Sequence, residues 1–159
     1  MSNQTPSIPL YYLLPLRLWV GLSFVIAGQN KLGRGNWGAD FAPNVEGFIS
    51  SNLENAWGFY RPFLEGVVLT NTSTFAVLVA WGELLFGLSV LLGLFTRVGA
   101  AVGIFIIANF TFTIGRGIWL PGMDAAYIFA LFTLAWAGAG RAYGVDMLMR
   151  KRWPKVPLT

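Results

Sequence analysis

Between Ser73 and Phe95 the chain runs for twenty-three residues with a single charge, Glu83. A run of that length and apolarity matches the roughly 20 residues a helix needs to cross the hydrocarbon core of a bilayer. In lipid every backbone N–H and C=O must be satisfied inside the protein, so such a segment reads as a helix. Three further runs are of the same kind. The first spans Ile8 to Gly28 with Arg17 as its only charge, another spans Val98 to Ile114, and the last runs from about Gly122 to Gly140. Pro15 suits a first helical turn, where its missing N–H is not needed, and this moves the start of the first span to Leu16. The expected architecture is an all-α integral membrane four-helix bundle in a single membrane domain. Its spans lie at about 16–32, 73–95, 98–114 and 122–140, with an outer connection over 33–72 that contains short interfacial helices and a tail over 141–159.

Composition narrows the function classes. Only 11% of the 159 residues are charged, against about 25% in soluble domains. Cysteine and histidine are both absent, which removes disulfides, thiol chemistry, iron–sulfur clusters, histidine-ligated haem and most zinc sites. A redox role then requires an organic cofactor or a partner chain. The net charge is +4, but the cations fall at helix ends and in the tail, which points to membrane topology and not to nucleic acid. Arg17, Arg97, Arg141, Arg150, Lys151, Arg152 and Lys155 share the side of the termini, against Lys31, Arg34, Arg61 and Arg116 on the other. That bias places both termini in the cytoplasm and the long connection outside. The N-terminal MSNQTPSIPLYY lacks a basic region and a small-residue cleavage site, so the first span is expected to stay.

Within the connection, Val45, Phe48, Ile49 and Leu53 recur at helical spacing opposite Glu46, Ser50 and Glu54, the pattern of a helix lying on the membrane surface. Trp57, Phe59, Tyr60 and Phe63 gather around Arg61 and Pro62 as an interfacial anchor, and Trp119 and Pro121 mark the entry to the fourth span. Gly99 with Gly103, Ser89 with Gly93, and Ala126 with Ala130 are small-residue pairs that let helices approach closely. GLSFVIAG at 21–28 and GLSVLLG at 87–93 form a faint internal echo.

Glu83 is the most informative position for chemistry. An ionised carboxylate near mid-bilayer costs a few kcal/mol or more and must face the bundle interior, as a proton acceptor or ligand contact or as a structural group bonded to another helix. By depth, Gln29, Asn30 and Lys31 at the end of the first span can converge with it, as can Asn109, Thr111, Thr113 and Arg116 at the end of the third and Asp124 at the start of the fourth. That set defines a polar pocket open outward, with Glu83 as the catalytic candidate and Lys31, Arg116, Gln29, Asn30, Asn109 and Asp124 as binding candidates. The alternative is that Asn109 and the threonines bond neighbouring helices while Lys31 and Arg116 snorkel. At the inner boundary Arg17, Arg97 and Arg141 satisfy the charge bias, and Arg17 is placed to pair with Asp146.

RLWVGLSFVIAGQNKLG at 17–33, WGELLFGLSVLLGLFTRVGA at 81–100 and GMDAAYIFALFTLAWAGAGRAYGVDMLMRKRWP at 122–154 together resemble the DoxX/DoxD-like membrane proteins, related to the small subunit of thiosulfate:quinone oxidoreductase. The resemblance rests on Arg17, Gly21, Gly28, Lys31, Gly82, Glu83, Gly87, Gly93, Thr96, Arg97, Asp124, Tyr127, Gly140, Arg141, Gly144 and Asp146. It implies a four-helix protein of the prokaryotic inner membrane, tied to sulfur-compound oxidation or to redox complexes with partner subunits, and it carries no fixed catalytic constellation. Two functions follow as expectations. In one, the chain is a subunit passing electrons from thiosulfate or another small sulfur compound to quinone, with Lys31 and Arg116 holding the anion and Glu83 exchanging a proton. In the other, it is a non-catalytic anchor or assembly subunit of a larger membrane redox complex.

Overall fold

The computed structural model describes residues 9–116 and 122–152. Trp119, Pro121 and Lys155 lie outside them. All regular elements among the described residues are helical. Helix α1, Leu14–Leu32, is entered through a 3-10 turn at Leu10–Leu13 and carries Pro15 in its first turn. After a second 3-10 turn, Asn36–Phe41, comes α2, Ala42–Asn52. Helix α3, Arg61–Leu92, is followed by α4, Thr96–Ile114, and α5, Met123–Ala137. A 3-10 turn at Ala139–Arg141 leads into α6, Val145–Arg152.

Three of these helical runs, Leu10–Leu32, Arg61–Leu92 and Thr96–Ile114, are long and apolar enough to cross a bilayer, and α5 is apolar but shorter. The chain is therefore a multi-pass membrane protein with an all-α bundle. Fifteen residues of α5 rise about 22 Å at 1.5 Å each, less than the ~30 Å of a hydrocarbon core.

Helix ends differ from the sequence expectation for identifiable reasons. Residues 61–71, expected as loop, are the start of α3, because Pro62 falls in a first turn that needs no N–H. The helix widens into a π turn at Leu64–Val68 and tightens into a 3-10 turn at Leu69–Asn71 before the regular α stretch from Thr72. It stops at Leu92 and not at Phe95, since Gly93 turns left-handed with φ 65°. Helix α4 starts at Thr96, two residues early, because Asp146 caps it from a distant part of the chain. Its carboxylate accepts from the Phe95 N–H at 2.7 Å, the Thr96 N–H at 3.1 Å and the Thr96 hydroxyl at 2.8 Å. Gly138, at φ 64°, ends α5 before 140.

Helices α1 and α3 cross antiparallel at their glycines. A Cβ at Gly21 would lie 2.6 Å from Leu91 Cα, and one at Gly87 would lie 2.7 Å from Val25 N, so both backbones touch where only hydrogen fits. The two glycines are the equivalent positions of the GLS echo. Around this crossing Val20, Phe86, Val90, Ala100, Ile107, Leu131 and Leu134 form the main core. A second core lies at the end of the bundle where α1 stops and α3 begins, and there Ile49, Ala56, Leu64 and Val68 bury together. The apolar face of α2 packs on the start of α3 through Ile49, with Val45 and Phe48 partly buried beside it.

At the opposite end Arg17 is buried and donates its hydrogen bonds to backbone, while the expected carboxylate, Asp146, acts on it through its charge. Its guanidinium donates to the Ala139 carbonyl at 2.8 Å and the Ala142 carbonyl at 2.7 Å. This ties α1 to the turn after α5, while Asp146 is occupied with the start of α4.

Candidate functional site

Glu83 sits about two thirds of the way along α3 and is 3% exposed. A buried carboxylate there requires a cation, and the last turn of α1 supplies it: the Lys31 ammonium donates to Glu83 Oε2 and forms an ion pair with it. The approach depends on Gly28, one turn earlier, where a Cβ would meet Leu84 N at 2.6 Å. The Lys31 ammonium also lies 5.4 Å from the centre of the Phe41 ring, within cation–π range.

Lys31 forms part of the wall of a cavity of about 510 Å³ enclosed by the Asn36–Phe41 turn, α2, α3 and α4. Most of the wall is hydrocarbon, from Val45, Phe48, Ile49, Leu64, Val68, Phe75, Ile106 and Phe110 among others. The polar exceptions are Lys31, Asn44, Tyr60, Asn109 and Thr113. The Tyr60 hydroxyl donates to Asn109 Oδ1, and Asn109 Nδ2 in turn donates to the Phe105 carbonyl at 2.6 Å. Both ends of the Asn109 amide are thereby fixed, and Tyr60 is held on the wall. Burial pushes the Tyr60 phenol above its ordinary pKa, so its hydroxyl remains a donor. On one side the rim is made of Leu78, Val102 and Phe105, which are 58%, 40% and 69% exposed and face outward from the bundle.

The residues expected to converge on Glu83 divide. Lys31 reaches it directly, and Asn109 stands on the wall of the same cavity. Gln29 and Asn30 are exposed on other faces of the last turn of α1 and do not line the cavity. Arg116 is exposed beyond the end of α4, so Lys31 and Arg116 do not share one wall. Asp124 lies in the first turn of α5, where a carboxylate suits the helix dipole, and it too is outside the wall. Thr111 bonds within its own helix, to the Ile107 carbonyl at 3.0 Å. Tyr60 and Asn44 were absent from the expected set. Tyr60 lay inside an aromatic cluster that reads as an interfacial anchor, and only its hydroxyl distinguished it from the surrounding phenylalanines.

The DoxX family profile matches residues 12–116. The chain belongs to the DoxX family. In this DoxX chain the matched region contains the Lys31–Glu83 pair, Tyr60, Asn109 and the whole cavity wall, and it stops before α5. Gly140, Arg141, Gly144 and Asp146 lie beyond it. No solved structure matches the chain. Among the described residues no group of three or more His, Cys, Asp or Glu side chains is placed to hold a metal ion.

Proposed function

We propose that this DoxX chain is the membrane subunit of a quinone-linked oxidoreductase, and that the cavity between α2, α3 and α4 receives a membrane quinone. The observation that carries the reading is a hydrocarbon-walled cavity of about 510 Å³ whose wall holds one ammonium and one phenol. That volume falls in the range of roughly 300–1,000 Å³ typical of small-molecule sites. A quinone presents two carbonyl acceptors on an otherwise apolar ring and chain, and this donor set suits it. The Tyr60 hydroxyl turns from Asn109 to one carbonyl, and the Lys31 ammonium donates to the other.

Reduction of quinone to quinol takes two electrons and two protons. Lys31 holds the proton-donating contact at the ring, and Glu83, ionised in the pair, takes up each of the two protons from water and relays it to Lys31. The electrons come from outside the chain, since its 159 residues include no Cys or His. A partner subunit that oxidises a small sulfur compound such as thiosulfate fills that role. The excess of Lys and Arg on the side of the termini supports a prokaryotic inner-membrane protein with both ends in the cytoplasm.

The test is purification of the full chain in mild detergent with native lipid, followed by quantification of bound quinone and identification of copurifying subunits. Quinone is expected at about one per chain, with retention falling roughly tenfold or more in Tyr60→Phe and Lys31→Met, the worth of one strong hydrogen bond. Glu83→Gln is expected to insert normally and to stop quinone-linked turnover of the assembled complex. Absence of quinone, together with unchanged turnover in Glu83→Gln, overturns this reading and leaves the chain as an anchoring subunit.

A further inference from the structure

The polar groups on the cavity wall differ in the hydrogen bonds they have left to make. The Lys31 ammonium has N–H donors and no lone pair, so it can only donate. The Tyr60–Asn109 pair is the reverse. Asn109 Nδ2 donates to the Phe105 carbonyl at 2.6 Å, and a carbonyl can only accept, so the amide is held with Oδ1 toward Tyr60. Oδ1 accepts from the Tyr60 hydroxyl, whose single hydrogen is thereby committed. The Tyr60 ring is pinned by Phe59, Phe63 and Phe112, with ring centroids 6.2, 5.3 and 5.6 Å away. Its oxygen therefore stays in place with lone pairs uncommitted, and only the hydrogen turns.

A quinone carbonyl is an acceptor. To bond it, Tyr60 must turn its hydrogen away from Asn109, and Oδ1 is left unpaired in a wall of hydrocarbon. Thr113, one turn along α4, donates its hydroxyl hydrogen to the Asn109 main-chain carbonyl at 2.8 Å, so it is not free to replace Tyr60. A hydroquinone hydroxyl meets no such conflict. It donates to the Tyr60 oxygen while Tyr60 goes on donating to Asn109, so a bond is gained and none is broken. At the other end of the ring the hydroquinone oxygen keeps a lone pair for Lys31.

We infer that Asn109 is a positioning residue that, through Tyr60, makes the cavity hold the hydroquinone in preference to the quinone. The inference rests on the quinone reading of the cavity and adds to it the redox form that the site selects. The bond that Asn109 loses to a quinone is worth about tenfold in affinity. A tenfold preference raises the midpoint potential of the bound two-electron couple by about 30 mV, which draws electrons toward the occupant.

The test takes the full chain in mild detergent, washed free of native quinone, and measures its affinity for decylubiquinone and, under argon, for decylubiquinol by equilibrium dialysis against the same micelles. The parent chain is expected to hold the quinol about tenfold more tightly. In Asn109→Leu the Tyr60 hydrogen has no competing acceptor, so quinone affinity rises about fivefold or more while quinol affinity moves less than about twofold. Asn109→Ala removes the same acceptor and repeats the measurement if Asn109→Leu does not insert. Loss of both forms together in these variants means that Asn109 only supports the fold, and it overturns the inference. Equal affinities in the parent chain, or a preference that survives both variants, overturn it while leaving the quinone reading in place. Binding of neither form by the parent chain overturns both.

Discussion

Replacing Lys31 by Met strips the cation from Glu83 and leaves a carboxylate with 4% of its side chain accessible, whereas Lys31 itself keeps 17%. Removing one member of a buried ion pair costs about 3–5 kcal/mol, because the other is left charged and uncompensated. Lys31→Met belongs in that range. Glu83→Leu orphans the more accessible partner, whose ammonium can snorkel toward the membrane surface, and its cost is smaller, about 2–3 kcal/mol. The double variant Lys31→Met/Glu83→Leu leaves no charge behind, and apolar replacement of a buried pair is near neutral. Its stability is expected within about 1 kcal/mol of the parent chain, giving a coupling of at least ~3 kcal/mol. The assay is reversible unfolding of the four purified proteins in mixed micelles, with near-ultraviolet tryptophan signals as the readout. Costs that simply add, with a coupling below about 0.5 kcal/mol, refute the claim that these two side chains compensate each other. Because the double variant is expected to keep the fold, a loss of quinone retention in it reports the missing Lys31 donor and not a weakened bundle.

Other substitutions test the architecture. Gly87→Ala drives a Cβ into the α1 backbone and is expected to cost about 1–3 kcal/mol. Gly47→Ala on α2 meets nothing within 4 Å and is expected to stabilise by about 0.5–1 kcal/mol; thermal melts of the two should move in opposite directions. Asp146→Ala uncaps α4 and strands the N–H of Thr96, which is 1% exposed, for a loss of about 2–4 kcal/mol by the same measurement. Ile49→Ala is expected to cost about 2–4 kcal/mol, whereas a value under about 0.5 kcal/mol would mean that α2 rests in lipid and not on α3.

The sequence exposed the crossing segments because hydrocarbon is a demanding solvent, and a single carboxylate in twenty-three apolar positions had to face protein. Lys31 was legible as a partner by depth alone. Rotation was not legible, because helices apolar on every side carry no stripe to orient them, and so Gln29 and Asn30 were grouped with a lysine that points elsewhere. Helix ends were hidden for another reason. The start of α4 is set by Asp146, fifty residues further along the chain, and the ends of α3 and α5 by left-handed glycines among many other glycines. The protein groove that takes Ile49 of α2 was not legible, since the same amphipathic spacing serves a bilayer surface and a protein groove equally. The charge of Asp146 near Arg17 was legible, but its two carbonyl partners were not, because backbone acceptors leave no trace in composition.

Leu78, Val102 and Phe105, exposed apolar residues on membrane-spanning helices, rim one side of the cavity, so the quinone proposed above would arrive by lateral diffusion within the leaflet. Its occupancy then follows its mole fraction among lipids, and dilution of the aqueous phase leaves it unchanged. Competing compounds will rank by how well they partition before they rank by how well they fit.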